Sequence, residues 1–107
     1  MLPNFAGIKY THEDFMDFFT CLNYQGGAYD MLWGRDECML SALVLGTKGF
    51  VGSTYNYAAP LYLKLMEAFS RNDLSEARKL QQGSINMIYL VMVSLMLFLA
   101  IIAVQWK

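Results

Sequence analysis

Three short apolar runs, each followed by a stretch with helical spacing, decide what this chain can fold into. They are Phe5 to Tyr10, Asp30 to Trp33 and Gly49 to Ser53. Parallel strands cannot be joined by a hairpin and need a crossover, which a helix supplies. Alternation of strand and helix with short links therefore predicts an α/β fold with a parallel sheet, built from about three βα units.

The links support that division. Thr11 precedes His12, Glu13 and Asp14, which predicts an N-cap at Thr11 with acids in the first turn of a helix. Phe15, Met16, Phe18, Phe19 and Leu22 follow at helical spacing, and Gln25-Gly26-Gly27 ends that helix. Asp36 and Glu37 open a second helix, with Met39, Leu40, Leu43 and Val44 on its apolar face and Gly46 in the position of a C′ glycine. Tyr55 to Pro60 is predicted as a loop, with Pro60 starting a third helix through Leu61, Leu65, Met66 and Phe69. Asn72-Asp73 makes a turn, and Ser75 to Leu80 begins a further helix.

Each strand candidate ends in a polar or glycine-rich cluster. These are Gly7-Ile8-Lys9-Tyr10-Thr11, Trp33-Gly34-Arg35-Asp36-Glu37 and Gly52-Ser53-Thr54-Tyr55-Asn56. Ligands of parallel α/β folds bind at such ends. Lys9 is expected at the end of a buried strand, where burial favours the neutral amine. That makes it a candidate nucleophile toward a carbonyl compound. Asp36, Glu37 and Ser53 suit a polyhydroxylated partner, and Gly34 lets a ligand approach the backbone. Plainer roles stay open: Lys9 as a solvated charge, Asp36 and Glu37 as helix-start acids, Ser53 and Thr54 as helix caps or turn formers, His12 as a helix-start residue.

Composition narrows the function classes. With 8 Lys+Arg scattered among 9 Asp+Glu there is no basic stripe, so nucleic acid is not an expected partner. Cys21 and Cys38 have no metal-ligand spacing, so no metal site is expected and both are read as reduced thiols of a cytoplasmic protein. The start of the chain lacks the basic and apolar regions of a secretory signal. The end is different: no charge occurs from Gln81 to Trp106, and Ile88 to Val104 is almost wholly apolar. That run lies at the lower edge of the roughly 17–25 residues that span a bilayer. Trp106 and Lys107 stand where an interfacial anchor would. A membrane-associated chain is thus the alternative to a cytoplasmic one. Two parts are expected, residues 1–84 with the α/β pattern and residues 85–107 as a hydrophobic helical tail.

Together the three clusters, in order and spacing, resemble N-acetylneuraminate lyase, of the pyruvate-dependent class I aldolases that include dihydrodipicolinate synthase. The resemblance runs from about Leu2 to about Leu90. It implies a (β/α)₈ barrel of which this chain carries the last three strands, beginning at the sixth of eight. It implies cleavage of N-acetylneuraminate to N-acetylmannosamine and pyruvate. Lys9 would form the Schiff base with pyruvate, so no separate cofactor is implied, and Thr11 would line the pocket beside it. Gly34, Asp36, Glu37 and Ser53 would contact the sugar-derived part. Gly-Ser-Thr-Tyr-Asn favours the neuraminate lyase branch over the dihydrodipicolinate synthase branch. The family's carboxylate-binding loop and its proton-shuttling tyrosine are not met here. The charge-free tail departs from the family pattern, as a fusion, a shifted frame or a shortened gene would. Weak or absent lyase activity is expected of the chain alone, and the family's type of homo-oligomer only of a full-length protein.

Overall fold

The structure is a computed structural model that describes residues 3–105. Leu2, where the resemblance begins, and the anchor residues Trp106 and Lys107 lie outside them. The elements run β1 (Gly7–Tyr10), α1 (Phe15–Leu22), β2 (Asp30–Trp33), α2 (Met39–Val44), β3 (Gly49–Phe50), α3 (Tyr55–Ser70) and α4 (Leu74–Gln105). Short 3₁₀ turns at Tyr24–Gly26 and Asp36–Cys38 stand before β2 and α2. The three strands form one parallel sheet in the order β1-β2-β3, with Tyr10 opposite Trp33 and Trp33 opposite Phe50. The α/β alternation is therefore as expected.

Pleating sorts the strand residues. Tyr10, Met31 and Trp33 are buried with Phe18 of α1 and Ala42 of α2, and Phe50 packs beside them. Trp33 is fully buried; its ring stacks on Phe15 at 4.9 Å and meets Phe18 edge-on at 4.8 Å. Its indole N–H donates to the Arg35 carbonyl at 2.7 Å, so the buried polar atom has a partner. The register puts Lys9, Leu32 and Gly49 on the opposite face. A second cluster, Met39, Leu43, Tyr62 and Leu65, joins α2 to α3, with Leu80 and Met87 of α4 against it.

Several expectations are corrected. β1 is not a buried strand: Ile8 is exposed because β1 is the edge of the sheet, and Lys9 because it belongs to the face opposite the buried cluster. The N-cap of α1 is Asp14, whose carboxylate accepts from the Asp17 N–H at 2.9 Å, and not Thr11. Of the apolar residues at helical spacing in α1, Met16 and Phe19 are exposed. β3 is only Gly49–Phe50. Tyr55 to Pro60 is the first part of α3 and not a loop. It is bent at Ala58 (φ −123°, ψ 21°) just before Pro60, whose ring crowds the preceding turn and which brings no N–H. The last helix of the α/β body and the apolar tail are one helix, α4, of 32 residues, with no break near residue 84.

Candidate functional site

All six residues singled out from the sequence line one cavity of about 350 Å³ at the C-terminal ends of the strands: Lys9, Thr11, Gly34, Asp36, Glu37 and Ser53. Lys9 is the last residue but one of β1 and Thr11 follows the strand; Gly34, Asp36 and Glu37 follow β2; Ser53 follows β3. Gly34 extends the ladder, its N–H donating to the Tyr10 carbonyl at 2.8 Å. A Cβ built there would stand 2.2 Å from Thr11 Oγ1 and 2.7 Å from Lys9 Cε. Glycine is thus what lets the lysine and threonine side chains cross the end of β2. The Lys9 amine has no hydrogen bond or ion pair among the described residues.

Asp36 is the opposite case, a buried carboxylate fixed on one side. Its Oδ2 accepts from the Thr54 backbone N–H at 2.9 Å and from the Thr54 hydroxyl. Thr54 Oγ1 lies 2.6 Å from the Tyr62 hydroxyl, which lies 2.8 Å from Ser84 Oγ. Since a carboxylate only accepts, the donors line up as Ser84 to Tyr62 to Thr54 to Asp36. Gln81 braces the same turn: its side-chain amide donates to the Asp36 carbonyl at 3.3 Å, and its oxygen accepts from the Leu40 N–H at 2.8 Å. Asp36 Oδ1 and the Tyr55 hydroxyl are both buried without a hydrogen bond of full geometry, yet Asp36 is close enough to act on the Tyr55 phenol. Burial, and then the negative charge of Asp36, push the Tyr55 phenol well above its ordinary value. Backbone space closes around the carboxylate as well: a Cβ on Gly52 would fall 1.5 Å from Asp36 Oδ1.

Glu37 is engaged by Arg35, whose Nη2 and Nε donate to Glu37 Oε1 at 2.7 and 3.0 Å, while Nη1 pairs with Glu13. The hydrogen bond to Glu37 leads the causes that hold the Arg35 guanidinium above its usual range. Ser53 is exposed, its carbonyl accepting from the Asn56 side chain at 3.0 Å. Among the described residues no group of three His, Cys, Asp or Glu is placed to hold a metal ion.

The model of the dihydrodipicolinate synthetase family matches residues 1–105. The chain belongs to that family. The match extends beyond Leu90, where the resemblance read from the sequence was expected to stop. Within the family, the N-acetylneuraminate lyase of Xenopus tropicalis is 45% identical over 80 residues, which are 75% of this chain and 26% of that protein. The solved N-acetylneuraminate lyase of Proteus mirabilis superposes with a TM-score of 0.81 at 40% identity, over 84% of this chain and 30% of that one. A Ruminococcus gnavus sialic acid aldolase, solved as a catalytic lysine mutant, superposes with a TM-score of 0.65 at 35% identity over 69% of this chain and 24% of that one. The chain thus spans about a quarter of the length of the curated relative, and about 30% of the Proteus enzyme.

The sequence reading missed the supports of this family member's cavity. Thr54, which the sequence leaves open as a helix cap or turn former, uses its side chain to hold Asp36 and makes no side-chain cap to α3. Gln81 and Ser84 were passed over inside the last helix; both are buried. Their signal is a stripe of small or uncharged polar residues at helical spacing, Ala77, Gln81 and Ser84. Ile88 also lines the cavity. His12 is exposed, ahead of α1 and outside the lining.

Proposed function

We propose that this chain carries the lysine-bearing part of a sialic acid lyase site, and that its sheet corresponds to three consecutive strands of a (β/α)₈ barrel. The supporting observation is the convergence of Lys9, Thr11, Gly34, Asp36, Glu37 and Ser53 on one cavity. In this reading the Lys9 amine adds to the ketone carbon of pyruvate or of open-chain N-acetylneuraminate. The carbinolamine takes up a proton and loses water to give an iminium. The iminium then accepts the electron pair of the carbon–carbon bond that breaks, while the sugar hydroxyl gives up its proton and becomes the aldehyde of N-acetylmannosamine. The enamine so formed takes up a proton at carbon, balancing the one lost from the hydroxyl, and the iminium that results is hydrolysed by water to pyruvate and the free amine, so no separate cofactor enters. Asp36 and Glu37 bring carboxylates to the cavity, and Ser53 a hydroxyl at its rim, which suit the hydroxyls of the sugar-derived part.

One part of the chemistry is poorly served. Among the described residues no tyrosine lines the cavity, and a positioned acid–base group is worth about 10²–10⁴-fold. Covalent capture should therefore outlast turnover. Incubation with pyruvate and borohydride is expected to add one reduced adduct, read by mass spectrometry, that Lys9→Ala abolishes. Turnover of N-acetylneuraminate should be weak or undetectable. Adducts spread equally over the other lysines, or an undiminished adduct in Lys9→Ala, would reject the assignment.

A further inference from the structure

We infer that the C-terminal half of α4 crosses a lipid bilayer and holds the candidate site at the membrane surface. Every residue of the stretch 89–104 is exposed, among them Leu97, Phe98, Leu99 and Ile101 at 56–61% of their full accessible area. The helix is long and apolar enough to cross a membrane, and none of its most apolar window is buried within the molecule. Apolarity extends all round this half, with no polar stripe to turn toward water. An interfacial helix would need such a face; a spanning one does not.

Length and hydrogen bonding fit the same occupant. Residues 89–104 extend about 24 Å at ~1.5 Å per residue, a few Å short of the roughly 30 Å of a hydrocarbon core, a mismatch that local thinning of the bilayer accommodates. All backbone groups inside the run bond within the helix, as lipid demands. The one hydroxyl well inside it, Ser94, donates to the Leu90 carbonyl at 2.8 Å and so needs no outside partner. Tyr89 stands at one end and Trp106 follows the other, both side chains suited to a bilayer interface. The nearest charges are Lys79 before the run and Lys107 after it.

The site follows the helix. The first half of α4 is fixed to the body by buried Ala77, Gln81 and Ser84, and no break separates the halves. Ile88, at the start of the apolar run, lines the cavity with Lys9 and Asp36. A neighbouring cavity of about 360 Å³ brings Tyr89 and Met92 against Arg35 and Glu37. With residues 89–104 in lipid, both cavities lie level with the headgroup layer.

The test uses the full chain with vesicles of uncharged phosphatidylcholine, so that charge alone cannot hold it. The chain is expected to float with the vesicles in a density gradient and to stay with them through alkaline carbonate and high salt. Leu97→Arg with Ile101→Arg should abolish flotation while the far-ultraviolet spectrum and the urea midpoint of the body are kept. With Cys21→Ser and Cys38→Ser as background, Lys107→Cys should resist an impermeant maleimide until detergent is added. A chain that stays unbound, is stripped by carbonate, or floats equally with both arginines overturns the inference. So does Lys107→Cys labelled without detergent, or a lipid-free oligomer that leaves the vesicles behind, which would make a second copy the occupant. Flotation reads no chemistry, so its outcome stands apart from trapping at Lys9.

Discussion

Tyr10 shows how one side chain joins the core to the site. Its ring packs on Trp33 and Phe18, its hydroxyl donates to Asp17 at 2.8 Å, and the next residue is Thr11 of the cavity. Burial first, then the hydrogen bond to Asp17, push its phenol up to about 12. Unfolding returns it to about 10. The native state therefore binds the proton more tightly, and this contribution to stability is complete below about pH 10. It is lost as pH rises toward 12. Urea midpoints should fall over that window, and Tyr10→Phe should flatten the fall in part, since the raised Tyr55 phenol titrates with the same sign. The strand-end motifs were legible as residue types because glycines, acids and a lysine at three strand ends are a strong pattern. The wiring was not: that Thr54 serves Asp36 across 18 positions depends on how β3 lies beside β2, which no local signal carries.

Helix ends and helix interiors answer different questions. Asp14 rather than Thr11 caps α1, so Asp14→Ala should cost about 0.5–2 kcal/mol in chemical denaturation. Thr11→Ala should lack that capping loss, since Thr11 borders Lys9 and Gly34 instead. In α4, Gly83 sits mid-helix, and a Cβ there would meet only Leu61 Cδ1 at 3.8 Å, an ordinary contact. Gly83→Ala should therefore raise stability by roughly 0.5–1 kcal/mol, read as a higher urea midpoint. Periodicity found the helices but not their ends. Two favourable capping residues, Thr11 and Asp14, lie in that stretch, and only the chain's exit angle from β1 chooses between them. Pro60 reads as a helix start in the sequence but lies inside α3 just after a bend, because a little over one helical turn fits ahead of it.

The whole molecule is drawn out by a single element. Its radius of gyration is 17.0 Å, against about 13 Å for a compact chain of this length, and its longest extent is 56 Å. An apolar surface of that size is costly in water. Light scattering should find large assemblies in plain buffer and one small species in non-ionic detergent; equal behaviour in both would mean that the run is covered in solution. Charge-free composition made the tail legible, whereas its continuity with the body was not, because the change from half-buried to exposed falls inside one unbroken helix. The approach of Gly52 to Asp36 has a consequence for heredity. A methyl at 52 and a carboxylate at 36 compete for one space, so their effects should be strongly non-additive. Gly52→Ala alone should cost about 1–3 kcal/mol by overpacking, and much less beside Asp36→Gly, as a double-mutant cycle would measure. Descendants of this sequence that keep the acid inherit the glycine with it, and those that lose the acid free the other position to drift.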